Sequence, residues 1–308
     1  MSGPFLLCLA LILDALAGEP SWLWSKAPHP VVVMGRFIGW LDRCLNQGSG
    51  RRVRGFFAVV ILVCLVGALA AVPGFFRYGW VFEVLLGAIL LAQRSLVQHV
   101  LAVADGLDRG IDPGRSAVAM IVGRDPEALD QAGVSRAAIE SAAENFSDGV
   151  IAPAFWFAVA GLPGIAIYKA INTADSMIGH RNERYGEFGW AAAKLDDLVN
   201  LIPARLAGLL ISIVGGGTGA ARVMWQEAGQ HRSPNAGWPE AAMAASLGVA
   251  LAGPRAYAGE GVVDDAFINA KGRRDANAQD IRNACALLWR AWAVSLAVAA
   301  VIGLAFWL

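Results

Sequence analysis

Residues 140–156 read ESAAENFSDGVIAPAFW, and residues 168–200 read YKAINTADSMIGHRNERYGEFGWAAAKLDDLVN. Both stretches are crowded with acids, amides and bases, although the segments beside them are mostly apolar. Charged groups are costly near a bilayer. Where they cluster beside apolar segments they usually face a bundle interior or a water-filled cavity. The pattern therefore predicts a helical membrane protein with a polar functional site.

The composition supports the membrane class. Hydrophobic residues make up 56% of the 308 residues, charged residues make up 16%, and the mean hydropathy is +0.51. Soluble domains are nearer one quarter charged. The net charge of zero gives no reason to expect a nucleic-acid partner. The four cysteines are widely spaced without a CxxC pair, so we expect free thiols rather than disulfides or a zinc site.

Six apolar runs define the predicted fold. Four are candidates for spanning helices: residues 4–17, 55–72, 78–104 and 291–308. Two more, residues 150–171 and 198–221, are interrupted by proline and glycine, and proline kinks or ends a helix. We expect these two to enter the membrane and return. The predicted fold is therefore all-α: a polytopic integral membrane helical protein with re-entrant or broken helices and cytoplasmic helical insertions.

The distribution of lysine and arginine predicts the orientation. Residues 18–54 carry six of these cations and residues 222–290 carry eight, whereas residues 73–79 carry one. Cytoplasmic loops are enriched in lysine and arginine. We therefore expect one membrane domain, residues 1–308, in a bacterial inner membrane with both termini outside. Its polar segments 105–148, 172–197 and 222–290 then share the cytoplasmic side, where ATP and Mg²⁺ are found.

A column of carboxylates is predicted on the helix that contains residues 140–148. Glu140, Glu144 and Asp148 follow one another at four-residue spacing, with Asn145 beside them, so they share one face of an α-helix. Like charges at this spacing destabilise a helix. A metal ion or basic partners would offset the repulsion; the alternative is a solvated acidic face.

Two further helices each pair an aspartate with an asparagine. Asn172 and Asp175 are three residues apart, and Asp196 and Asn200 are four apart, so each pair shares a face. Asp197 adds a further carboxylate. Mg²⁺ prefers hard oxygen ligands and usually takes one or two carboxylates together with phosphate oxygens. These residues are therefore candidates for a magnesium–phosphate site.

The remaining candidates are cations and a polar loop. Lys169, Arg181, Arg184 and Arg205 could hold phosphate or carboxylate oxygens, with anchoring at the membrane interface as the alternative for Arg181 and Arg184. Residues 231–240 read HRSPNAGWPE. The proline and glutamate at the end of this loop are ordinary helix-start residues. The other polar and aromatic side chains also suit a ligand lid.

The chain resembles the CobD/CbiB family, the adenosylcobinamide-phosphate synthases of cobalamin biosynthesis. The resemblance spans nearly the whole chain. It rests on five long motifs in order: DALAGEP at 14–20, HPVVVMGRFI at 29–38, ESAAENFSDGVIAPAFW at 140–156, the stretch 168–206 ending NLIPARL, and SPNAGWPEAAMA at 233–244.

The resemblance implies a membrane ligase that uses ATP and Mg²⁺. Its substrates would be adenosylcobyric acid, a corrinoid, and (R)-1-amino-2-propanol or its O-phosphate, which are joined as an amide. Whether the amine is phosphorylated, and whether the carboxylate is activated as an acyl phosphate or an acyl adenylate, stays open. Membrane lipid is an expected partner, and the chain could assemble with itself or with other late enzymes of the pathway.

Roles for individual residues follow from this chemistry as expectations. Asp175, Asp196, Asp197 and Asn200 would form the metal site, with Asn172 beside them. Lys169, Arg184 and Arg205 would clamp phosphate or carboxylate, and Glu140 or Glu144 would be the general base. Asn145 and Asp148 would contact substrate, and Ser233, Asn235 and Trp238 would border the corrinoid.

Two other classes remain open from the sequence. An AmpE-like signalling protein would keep the apolar framework but would need no paired Asn and Asp side chains. A magnesium-dependent prenyl-diphosphate transferase would be expected to repeat its Asp motifs in both halves of the chain, and here they cluster in one region.

Overall fold

The computed structural model describes residues 3–123, 126–253, 255–257, 261–263 and 266–305. It is 77% helical, with very little strand. The chain divides into two compact units. Unit 1 comprises residues 1–92, 152–200 and 298–308, and unit 2 comprises residues 93–151 and 201–297.

Unit 1 is built from seven complete helices and the end of an eighth. They are α1 (Gly3–Ala17), α2 (Ser21–Trp24), α3 (Pro30–Leu45), α4 (Arg51–Ala71), α5 (Gly79–Leu90), α9 (Ala152–Ile178), α10 (Trp190–Val199) and the last turns of α14 (Ala278–Ala305). A short 3₁₀ turn, Val72–Phe75, follows α4. A buried cluster from α3, α4, α9 and α10 includes Ile38, Leu62 and Phe188, so these elements hold the end of α9 against α10.

Unit 2 contains the remaining helices and four short strands. The helices are α6 (Gln93–Arg109), α7 (Ile111–Val118), α8 (Gln131–Phe146), α11 (Leu201–Gly215), α12 (Gly217–Glu227), α13 (Gly237–Leu247) and the first part of α14. A π-helical turn, Ser147–Ile151, follows α8, and a 3₁₀ turn, Ala228–Gln230, follows α12. The buried core includes Val100, Ile139, Phe146, Ile211 and Leu288.

The strands form two small antiparallel ladders. Strand β1 (Leu251–Ala252) pairs with β4 (Phe267–Ile268), with Leu251 opposite Ile268. Strand β2 (Arg255–Tyr257) pairs with β3 (Gly261–Val263), with Ala256 opposite Val262. The sequence patterns did not predict these strands, because two or three residues are too few to show alternation.

The helical membrane class predicted from the sequence is confirmed. Among the described residues, four helical stretches are long and apolar enough to cross a membrane: Arg51–Phe75, Gly79–Arg109, Gln131–Ile178 and Ala278–Ala305. They contain the predicted run 55–72, all but the first residue of 78–104, and most of 291–308, whose last three residues lie outside the described part. The predicted span at 4–17 forms α1, which at 15 residues is shorter than a usual crossing.

Both apolar runs that were predicted to be broken are interrupted. Helix α9 loses helical geometry at Ala160 and at Gly161, whose φ of 61° lies in the left-handed region that glycine tolerates. Helices α10 and α11 meet at Asn200 with a bend of 45°. The bend suits either a broken span or a re-entrant hairpin, so the predicted re-entrant topology and the cytoplasmic side of the polar segments stay predictions.

Candidate functional site

In unit 1, a chain of hydrogen bonds holds one carboxylate between α9 and α10. Asn172 donates from Nδ2 to Oδ1 of Asp196 at 3.3 Å, and Asn200 donates from Nδ2 to Oδ2 at 3.1 Å. The Tyr168 hydroxyl in turn donates to Oδ1 of Asn200 at 3.0 Å, and both of these side chains are buried. Both oxygens of Asp196 are therefore oriented by amides that are themselves fixed by packing.

Two more carboxylates lie near this group. Asp175 and Asp197 both act on Asp196 as like charges. Gly179 makes room for the first of them, because a Cβ at this glycine would stand 1.9 Å from Oδ1 of Asp175. A larger residue would displace the carboxylate. The structure thus brings Asp175, Asp196 and Asp197 into one neighbourhood, with Asn172 and Asn200 as donors.

The chemistry of this group fits Mg²⁺ bound together with phosphate. Carboxylate and amide oxygens are hard ligands, and repulsion between neighbouring carboxylates favours a cation between them. Among the described residues, no group of three or more His, Cys, Asp and Glu side chains is arranged as a metal centre. The metal role predicted for Asp175, Asp196, Asp197 and Asn200 therefore stays a prediction.

A polar cavity adjoins the carboxylates. It has a volume of about 430 Å³, and its walls include His180, Arg181, Tyr185, Trp190 and Lys194. Gly179 and Asp197 also line it, so the cavity shares walls with the carboxylate group. Of the side chains from 180 to 190, the sequence predictions included Arg181 and Arg184, but not His180, Tyr185 or Trp190. In the sequence, these side chains form a run of aromatic and basic residues between the two predicted helices that each pair an aspartate with an asparagine.

The loop that closes this cavity is pinned by α3 and α4. Arg184 donates to Oδ2 of Asp42 at 2.6 Å, and this bond, with the charge of the buried Asp42, raises the pKa of the Arg184 guanidinium. Asn46 donates to both Asp42 and the Arg184 carbonyl oxygen. Arg51 lies 3.4 Å from a carboxylate oxygen of Glu187. Arg184, the predicted phosphate clamp, therefore forms an ion pair with Asp42 that fixes the loop.

Lys169 lies near a half-buried histidine, His29. Nδ1 of His29 accepts from the Val31 N–H at 3.2 Å, so the ring proton is on Nε2, which donates to the Ile89 carbonyl oxygen at 3.2 Å. Burial lowers the pKa of His29; Glu19 acts in the opposite direction, and Lys169 lowers it further. The predicted clamping role of Lys169 stays a prediction.

In unit 2, the three carboxylates of the predicted column lie in different environments. Glu140 is buried, and its Oε1 accepts from the Ala252 N–H at 2.8 Å, which anchors β1. Glu144 and Asn145 are exposed, and Asn145 donates to the Ser141 carbonyl oxygen. Asp148 lies in the π turn Ser147–Ile151, whose repeat is wider than that of an α-helix, so the regular α-helix ends at Phe146 and the shared face of all three carboxylates stays a prediction.

The loop before α13 is folded by its own hydrogen bonds. The Ser233 hydroxyl accepts from the backbone N–H groups of Asn235 and Ala236, each at 3.2 Å. Trp238 donates to the Pro234 carbonyl oxygen at 3.2 Å, and the Arg205 guanidinium stands 4.4 Å from the centre of its ring. Ser233 therefore has a turn-forming role, and Arg205 and Trp238 form a cation–π pair. Their predicted contacts with a corrinoid stay predictions.

Comparison with known proteins identifies the family. The CobD/Cbib protein family profile matches residues 7–288. The chain belongs to the CobD/Cbib family. The cobalamin biosynthesis protein CobD of Brucella anthropi is 52% identical over 301 residues, covering 92% of each chain. The proteins of the same name from Sinorhizobium fredii and Rhodobacter capsulatus are each 49% identical, covering 97% and about 93% of each chain respectively.

Membership of the CobD/Cbib family supports a role in cobalamin biosynthesis. No solved structure matches the chain. The arrangement of Asp175, Asp196 and the adjoining cavity therefore rests on this structure alone.

Proposed function

We propose that the chain is an ATP- and Mg²⁺-dependent amide ligase of cobalamin biosynthesis. It would join (R)-1-amino-2-propanol O-phosphate, or aminopropanol, to the propionate carboxylate of adenosylcobyric acid. The observation that carries the proposal is the Asp196 carboxylate, held by two amides beside two further carboxylates and a cavity with basic walls. Such a group suits Mg²⁺ bound to a polyphosphate.

The chemistry requires activation because a carboxylate is a poor acyl donor. Its oxygen would attack a phosphorus atom of ATP, giving an acyl phosphate and ADP, or an acyl adenylate and pyrophosphate. The amine would then attack the carbonyl carbon, lose a proton to a base, and expel phosphate or AMP as the amide forms. Mg²⁺ when bound would neutralise charge on the phosphate oxygens.

Each group of residues would then serve one part of the reaction. Asp175 and Asp196 would hold the magnesium-bound phosphates, and Asn172 and Asn200 would keep Asp196 oriented. Of the two predicted bases, Glu144 suits the role better, because the carboxylate of Glu140 is buried against Ala252. An exposed carboxylate can receive the proton that the ammonium group loses.

The test is a direct assay of amide formation by protein purified in detergent. Adenosylcobyric acid, aminopropanol phosphate and Mg–ATP would be supplied, and the amide would be detected by mass. We expect product from the wild type and at least about a hundredfold less from Asp175→Ala, because a metal ligand is lost. Asp112→Ala is the matched control, since the exposed Asp112 carboxylate pairs with Arg115 on its own helix, in unit 2.

The proposal would be wrong if well-folded wild-type protein formed no amide and consumed no ATP with these substrates. That outcome would favour a signalling protein instead. Product from aminopropanol but not from its phosphate would show that the amine substrate is not phosphorylated, and it would still support the ligase reaction.

A further inference from the structure

The cavity beside the carboxylates has the composition of a binding site for a phosphorylated ligand with a ring. Its volume of about 430 Å³ lies within the range of small-molecule sites. All of its lining residues lie between 179 and 197, in unit 1. Most of its polar and aromatic wall is the loop that joins α9 to α10, so a single segment of sequence shapes it.

Two cationic side chains line the cavity, and they differ in whether they already have a hydrogen-bond or ion-pair partner. Within the described part of the chain, Arg181 has no hydrogen-bond or ion-pair partner, although it lines the cavity. Lys194 also lines it and lies 3.2 Å from Oδ2 of Asp197. A guanidinium with open donors can bind phosphate oxygens in a bidentate manner, whereas an ammonium acts as a point charge. The pair therefore suits an anion with several oxygens.

Two aromatic rings complete the wall. The Arg52 guanidinium lies 3.9 Å from the centre of the Trp190 ring, and the Arg184 guanidinium lies 5.1 Å from that of Tyr185. Arg184 is itself held by Asp42, so the cation beside Tyr185 is fixed. Trp190 keeps 40% of its surface exposed. Rings that are already oriented can stack on a planar ligand at little entropic cost.

The carboxylates adjoin the cavity. Gly179 lines the cavity and lies against the Asp175 carboxylate, and Asp197, next in sequence to Asp196, lines it directly. A metal ion bound by these carboxylates would therefore lie beside whatever anion the cavity holds. A nucleoside triphosphate could use all three features: the two cations and the metal ion would bind its phosphates, and the aromatic rings would stack on its base.

We propose that this cavity binds the nucleoside triphosphate, with its phosphates at Arg181 and Lys194 and its base at Trp190 and Tyr185. The inference rests on the proposed ligase function and extends it to a site. An amino alcohol phosphate has no ring to use the aromatic wall. A corrinoid macrocycle is too large for a cavity of about 430 Å³.

The test is equilibrium binding to purified full-length protein, measured separately for Mg–ATP, magnesium tripolyphosphate and aminopropanol phosphate. We expect Arg181→Gln to weaken both polyphosphates by at least about tenfold, because it removes a charge-assisted contact. Trp190→Leu should weaken ATP by about tenfold and leave tripolyphosphate unchanged, because only ATP carries a base. Arg77→Gln and Trp22→Leu are matched controls, since both residues lie outside the cavity.

The outcomes separate this inference from the ligase proposal. If wild-type protein forms the amide and binds ATP, but both cavity variants bind ATP as the wild type does, the nucleotide site is elsewhere and the inference is wrong. If Arg181→Gln weakens aminopropanol phosphate and leaves ATP unchanged, the cavity holds the amine and the inference is also wrong. Failure of the ligase proposal would instead show as no amide formed by any of the proteins, with or without ATP bound.

Discussion

Replacing Asn200 by leucine should destabilise unit 1 by an amount that the hydrogen-bond chain predicts. Asn200 is 1% exposed; it accepts from Tyr168 and donates to Asp196. Leucine fills a similar volume but makes neither bond. A lost neutral hydrogen bond costs about 1 kcal/mol, and one to a carboxylate costs about 1.5–3 kcal/mol. The expected loss is therefore about 2.5–4 kcal/mol in the free energy of unfolding, or about 5–16 °C in Tm.

Tyr168→Phe is the matched comparison, because it removes only the neutral bond at 3.0 Å. It should cost about 1 kcal/mol. Both variants and their double mutant would be measured by thermal unfolding in detergent. In the double mutant, the shared bond should appear as a coupling energy of about 1 kcal/mol. An Asn200→Leu variant as stable as Tyr168→Phe, or strictly additive effects, would refute the chain from Tyr168 to Asp196.

Three further predictions follow from single contacts. Glu140→Gln should keep most of its activity and stability, since an amide oxygen can still accept from Ala252; a loss of about a hundredfold in activity with the fold intact would make Glu140 the base. Because burial lowers the pKa of His29, the unfolded chain binds a proton more tightly than the folded chain. Stability should then fall as the pH drops through about 6.5, and His29→Gln should flatten that part of the Tm profile; an unchanged profile would contradict this. Gly55→Ala should lower Tm and weaken ATP binding, because its Cβ would stand 1.9 Å from the Phe188 carbonyl oxygen. Gly74→Ala is the control, because a Cβ at Gly74 would meet open space. Equal Tm and ATP affinity of the two variants would count against a loop held in place by α4.

The sequence was sufficient to predict the helical framework where composition alone determines it. All but the last residue of the run at 55–72 lies within α4, and the prolines and glycines of 150–171 correctly marked a break. The predicted pairing of Asp196 with Asn200 appears as a hydrogen bond, because four-residue spacing places side chains one above the other on a helix.

The misses have local physical causes. The π turn after α8 has a wider repeat than an α-helix, and no residue type predicts it, so the sequence did not show that Asp148 lies beyond the regular helix. The buried Asp42 was overlooked because its partner, Arg184, is 142 residues away in the chain. Sequence spacing shows which residues share a helix face. It does not show which loop closes over that face, and the cavity at 179–197 depends on that closure.

Transfer of an oxygen label would test the central claim most directly. Adenosylcobyric acid labelled with ¹⁸O in its propionate carboxylate would be converted with Mg–ATP and aminopropanol phosphate, and the phosphate and AMP would be analysed by mass. Activation by ATP predicts one ¹⁸O atom in inorganic phosphate through an acyl phosphate, or one in AMP through an acyl adenylate, for each amide formed. Amide formation with no ¹⁸O in either product would contradict the account.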